Sequence, residues 1–291
     1  MNSAFECVLD IKASLGECPV WSVEQQALHW VDINAPSLNR FDPLTGRNAA
    51  WAMPTSIGCF ALRQSGGFIA ALRNGFWLVD RHGKLESRIC EAPYDPAHHR
   101  FNDGRADPRG RFWVGSMNEK RDASSGKLYR LDPDFKLTAM VSDIMTSNGL
   151  AFSPDGRTMY HSDTPTHTVY AWDFDAATGD IANRRIFAQF RGETDRPDGG
   201  AVDREGCYWS AFYRGGKVVR LSPRGETLAE FAVPAMCPTM CAFGGPDLKT
   251  LFVTSARQNR DAEELERLPY SGGIFAMRVG VPGLPEPKFA G

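Results

Sequence analysis

The chain has 291 residues, of which 42% are hydrophobic, with 28 Gly, 19 Pro, 7 Trp and 18 Phe. This composition supplies a core and many turns, and excludes a low-complexity or disordered chain. Lys and Arg number 33 against 35 Asp and Glu, a net charge of −2, so there is no basic excess to recruit nucleic acid or an acidic membrane. No run approaches the roughly 18 apolar residues of a membrane span. The first residues, from Met1 to Cys7, lack the basic start and apolar run of a secretion signal. The seven cysteines are scattered, odd in number and form no C-x-x-C pair. Reduced thiols in a cytoplasmic protein are expected.

Along the chain one unit recurs: an apolar pair, a turn rich in Pro, Asp or Gly, then a short β-rich run. It begins at Val20-Trp21 with run 27–33, and at Ala61-Leu62 with run 67–72. Arg105-Ala106 leads through turn 107–110 to run 111–117, and Ala151-Phe152 leads through turn 153–157 to run 158–163. Ala201-Val202 leads into 207–212, and Ala242-Phe243 into 250–256. The units repeat every 41 to 50 residues. Each continues with a third strand-like run, and the first five with a fourth. Alternation in Leu128-Tyr129-Arg130-Leu131 and Val218-Val219-Arg220-Leu221 reads as half-buried strand.

Six units of four short strands predict an all-β fold, a six-bladed β-propeller built as a single domain over residues 1–291. Two stacked β-sandwiches fit the even spacing less well. The sixth unit lacks a fourth strand, and the leftover run 5–11 is predicted to supply it and close the ring. Residues 261–266 are the one clear helical candidate, inside an insertion of the last unit.

Equivalent positions of a propeller lie at equal heights around its axis. Four residues before the second residue of each apolar pair stand Glu17, Gly58, Asn102, Asn148, Asp198 and Thr239. They are expected to ring one mouth of the channel. Asn or Asp before Gly is ordinarily a turn residue. Four such oxygen-bearing side chains in one register instead suggest a site for a hard divalent cation.

The segments around this ring resemble a known family. They are Leu15-Gly16-Glu17-Cys18-Pro19-Val20-Trp21, Arg100-Phe101-Asn102-Asp103-Gly104, Ser147-Asn148-Gly149-Leu150-Ala151 and Pro197-Asp198-Gly199-Gly200. Phe243-Gly244-Gly245-Pro246-Asp247-Leu248 and Thr254-Ser255-Ala256-Arg257 agree in order. Together they are similar to the SMP-30/gluconolactonase/regucalcin family, from about Leu15 to Val279. The resemblance implies a six-bladed propeller binding one divalent metal through Glu17, Asn148 and Asp198. It implies substrate contacts from Arg100 and Asn102, to which Glu119 is added as a candidate. Cys18 departs from the Gly or Ser more usual there. Bacterial members hydrolyse sugar lactones such as xylonolactone, arabinonolactone or gluconolactone.

The expected activity is hydrolysis of an aldonolactone to its aldonic acid. The metal, one of Ca²⁺, Mg²⁺, Mn²⁺, Zn²⁺ or Fe(II), polarises the carbonyl. Asp198 is the candidate base, although a cation-bound carboxylate is a weak one, so metal-bound hydroxide stands as the other option. The partner is a small sugar lactone, with neither nucleic acid nor membrane, and the chain acts as a monomer or weak homo-oligomer. The competing readings are a non-catalytic metal-binding regulatory propeller and a broader ester or lactone hydrolase. No G-x-S-x-G, H-E-x-x-H or P-loop pattern occurs, which removes support from serine-esterase, zincin and nucleotide-driven chemistry.

Overall fold

The computed structural model describes residues 4–291. Their strands form six antiparallel four-stranded sheets. Blade 1 is the meander Gly16–Ser22, Ala27–Asp32, Ser37–Asp42 and Arg47–Ala52. Blades 2 to 5 repeat it, with first strands Ile57–Leu62, His99–Ala106, Ser147–Phe152 and Pro197–Val202. Blade 6 runs through Pro238–Gly244, Thr250–Ser255 and Ile274–Arg278. Its fourth strand is Glu6–Leu9, which pairs with Ile274–Arg278. The last blade is thus completed from the other end of the chain.

The first strands touch one another in order around a closed ring, with blade 1 against blade 6. Their composition explains their place. Ile57–Leu62 is small or apolar throughout, Ser147–Phe152 is so apart from Asn148, and both are buried at every residue, as strands covered on both sides must be. The outer strand Arg47–Ala52 has exposed residues at four of its six positions. Tight turns join the strands. In the turns at 107–110 and 203–206 the glycine N–H donates to the carbonyl of the leading Asp, at 2.9 and 3.0 Å. Gly110 and Gly206 both have φ of 81°, a left-handed conformation that glycine adopts without steric cost.

Aromatic contacts join every neighbouring pair of blades. Centroid separations are 5.1 Å for His29–Phe68, 4.7 Å for Phe76–Phe101 and 6.1 Å for Trp113–Phe152. They are 5.1 Å for Tyr160–Tyr208, 5.8 Å for Trp209–Phe243 and 5.5 Å for Trp21–Phe252. Trp21, Trp113 and Trp209 therefore serve as packing between blades. Each such ring pair adds about 0.5–1.5 kcal/mol to the burial of its area.

The helix Ala262–Arg267 lies in the insertion of blade 6. It starts where expected because the Asp261 side chain accepts from the Glu264 N–H at 2.8 Å. The C-terminal segment packs at the far ends of the first strands. Phe289 is fully buried, its N–H donates to Leu62 O at 2.8 Å, and Glu286 pairs with buried Arg105 at 3.3 Å.

Candidate active site

The pairing of each first strand with its neighbour slips at the predicted ring. The slips lie between Glu17 and Val20, Ile57 and Cys59, Phe101 and Gly104, Asn148 and Ala151, Pro197 and Gly200, and Pro238 and Cys241. A bulge bends its strand and re-aims the side chain beside it. Cys18 and Gly149, which follow Glu17 and Asn148, have φ of 47° and 64°. The Cys18 thiol is buried and lies 3.4 Å from the Phe60 N–H of the next blade, where it accepts.

Glu17, Asn102, Asn148 and Asp198 all line one cavity at this mouth. The other two ring positions serve the ring itself. A Cβ at Gly58 would lie 2.5 Å from the Phe101 backbone, so only glycine permits that approach. Thr239 Oγ1 donates to Gly16 O, closing blade 6 on blade 1. Leu15, Arg100, Thr146 and Arg196 also line the cavity, each two residues before a ring residue. Arg100 lies within its strand and the other three just before theirs, so they form a second tier of the lining.

A hydrogen-bond chain fixes the amides. Thr164 Oγ1 donates to Pro197 O at 2.8 Å, so it must accept from Asn148 Nδ2, also at 2.8 Å. That places Asn148 Oδ1 on the opposite side, where Asn102 Nδ2 donates to it at 2.7 Å. Asn102 Nδ2 also reaches Ser147 O at 2.8 Å, and Arg100 Nη1 donates to Asn102 Oδ1 at 2.6 Å. Glu119 is not on the cavity wall. It grips Arg73 with bonds of 2.7 and 2.8 Å and stands 3.8 Å from Arg100 Nε, which places it behind Arg100.

The carboxylates are under strain from their surroundings. Burial first, then the charges of Asp198 and Asp103, push Glu17 well above the usual carboxylate range. Burial and then Asp103 do the same to Asp198. Asp198 Oδ1 is buried without a hydrogen-bond partner. Such an orphaned oxygen is costly unless a cation or a donor meets it. Two carboxylates and an amide oxygen on three blades are the donor set of a hard cation. A different group, Asp203, Glu205 and Cys207, brings ligand atoms within 4.8 Å. Its carboxylates are already used: Asp203 by Arg220, Trp209 and backbone N–H groups, Glu205 by Arg220.

A match to the SMP-30/gluconolactonase/LRE-like region covers residues 15–257, most of the chain. The chain belongs to this family. The family relative 6-deoxy-6-sulfogluconolactonase of Pseudomonas putida is 51% identical over the whole of both chains, 100% of each. Regucalcin of Gallus gallus is 36% identical over 98% of each chain. Among solved structures, a calcium-binding regucalcin from Agrobacterium tumefaciens superposes with a TM-score of 0.94 at 30% identity, covering 99% of this chain and 97% of that one. Several cavity residues were not singled out from the sequence, among them Arg121, Thr164 and Arg196. Arg196 had a legible signal, since it precedes Asp198 by two residues, as Arg100 precedes Asn102. Arg121 and Thr164 come from loops outside the repeat register and left none.

Proposed function

We propose that the protein is a divalent-metal-dependent hydrolase that opens sugar lactones to aldonic acids. The observation that carries this reading is the buried, unpartnered Asp198 Oδ1 facing a cavity that also holds Glu17, Asn148, Arg100 and Asn102. Glu17, Asn148 and Asp198 would hold the cation. When bound, it supplies Lewis-acid stabilisation of the negative charge that grows on the lactone carbonyl oxygen. The oxygen-only donors favour Ca²⁺, Mg²⁺ or Mn²⁺ over Zn²⁺ or Fe(II).

The chain's own residues do the rest. With one Asp198 oxygen on the cation, the other orients water and accepts its proton. The water oxygen bonds to the carbonyl carbon, the carbon–ring-oxygen bond breaks, and the ring oxygen takes a proton to become a hydroxyl. Arg100 spends only Nη1 on Phe101 O and Asn102 Oδ1 in hydrogen bonding. Its Nη2 is left for substrate hydroxyls and then the new carboxylate. Glu119 and Arg73 hold Arg100 in place. The seven free thiols agree with a cytoplasmic setting.

The test is hydrolysis of glucono-, xylono- and arabinonolactone followed in a pH-stat. Chelator-stripped protein is expected to be inactive, and one of the divalent ions to restore turnover. Asp198→Ala is expected to lose about 1,000-fold or more in kcat at saturating metal. Full activity of that variant would overturn the assignment. Cation binding with no turnover on any lactone would leave a binding protein instead.

A further inference from the structure

The cavity holds more positive charge than a neutral sugar can use. Its lining includes Arg100, Arg121 and Arg196 against two carboxylates, Glu17 and Asp198, and both carboxylates belong to the cation site. Arg100 has Glu119 at 3.8 Å. Among the described residues, neither Arg121 nor Arg196 has an ion-pair partner within 4.0 Å, in a chain where nineteen such pairs occur. Arg196 is half-buried, and its Nε is buried with no hydrogen-bond partner. The loop after Phe112–Asn118 carries Arg121, and Arg196 leads into the first strand of blade 5. The two approach the cavity from different blades.

A half-buried guanidinium such as that of Arg196 is costly without an anion, and Arg121 adds a second like charge to the same cavity lining. The product carboxylate forms at the metal end, beside Arg100, and leaves this second pair unanswered. Two planar forks converging on one space match a tetrahedral oxyanion with three acceptor oxygens.

We propose that the lactone taken by this cavity bears a second, permanent anion, a sulfonate or phosphate ester, at the end remote from the carbonyl, and that Arg121 and Arg196 bind it. This deepens the hydrolase reading above and rests on it. Neither arginine takes part in breaking the ester, so the assignment concerns which lactone is accepted.

The experiment compares kcat/KM of the metal-loaded enzyme for three lactones: gluconolactone, 6-deoxy-6-sulfogluconolactone and 6-phosphogluconolactone. At least one anionic lactone is expected to be preferred over the neutral one by about 100-fold, as two charge-assisted contacts provide. The order of the two anions identifies the source of the charge. Arg121→Gln and Arg196→Gln are each expected to shrink the anionic-to-neutral ratio about 10-fold, and the double variant to bring it near unity. Arg121 is exposed on its loop, so Arg121→Gln remains readable if the Arg196 variant folds poorly. Wild-type enzyme that takes the neutral lactone as well as both anionic ones would overturn the proposal and leave the hydrolase reading intact. Equal losses on all three substrates in the variants would also overturn it. Absence of turnover on every lactone would remove the hydrolase reading and this assignment together.

Discussion

Two buried histidines tie stability to pH through single side chains. His29 lies between blades 1 and 2 against Phe60 and Phe68, and burial, then Arg40, lowers its pKa to about 3. His161 meets Ser147 Oγ at 2.8 Å, beside Asn148 of the proposed cation site, and burial, then Arg184, lowers it to about 4. A depressed histidine pKa means that the unfolded chain binds the proton first. The stability is therefore full above about pH 6.5 and drains away as pH falls toward the folded value. Each histidine costs about 1.4 kcal/mol per pH unit in that window. His29→Gln is expected to lose about 2 kcal/mol less than wild type between pH 7 and pH 5, read from urea midpoints at the two pH values. Parallel acid slopes for the two proteins would refute the assignment. Single residues were also the scale at which the sequence spoke most clearly about the site. A shared register placed Glu17, Asn102, Asn148 and Asp198 on one ring, and the structure has all four on one cavity. The role of Thr164 depends on a hydrogen-bond direction that no spacing encodes.

Strands and loops locate these side chains, and two aspartates hold the entries to the first strands. Asp32, at the end of a second strand, accepts from Ser14 and Leu15 N–H at 2.7 and 3.1 Å, just before Glu17. Asp163, at the equivalent place in blade 4, accepts from Met145 and Thr146 N–H at 3.1 and 2.9 Å, just before Asn148. Removing Asp163 strands two backbone donors in a part-buried turn. Asp163→Ala is expected to cost about 2–4 kcal/mol in chemical denaturation and to weaken cation binding with it. A loss under about 0.5 kcal/mol would show that the loop holds itself. At this scale the alternation of apolar residues and the D-x-x-G turns made the meander readable, and Asp261 marked the helix start. The bulges were hidden because a slip of register leaves no composition signal when a residue such as Cys18 takes the left-handed position.

The whole molecule is a ring closed twice, and the proposed cation site draws on that closure. Glu6–Leu9 completes blade 6, while Thr239 ties blade 6 to blade 1 at the level of the site. Glu17, Asn148 and Asp198 come from blades 1, 4 and 5, so an ion bound by all three links blades that do not share a sheet. Without the ion the ring buries two carboxylates whose pKa values are raised, which at neutral pH works against the folded state. Cation binding offsets that cost and adds its own linkage. At 100 times its Kd the expected gain is about 2.7 kcal/mol, and for a chain of this length that raises Tm by about 4 °C. Asp198→Asn is expected to abolish the shift while leaving the metal-free protein at least as stable as wild type, since the amide removes a buried charge. Thermal scans of both proteins with and without Ca²⁺, Mg²⁺ and Mn²⁺ make the comparison. A shift that survives in Asp198→Asn would put the ion elsewhere, and a metal-free variant weaker than metal-free wild type would mean that Asp198 is structural before it is a ligand.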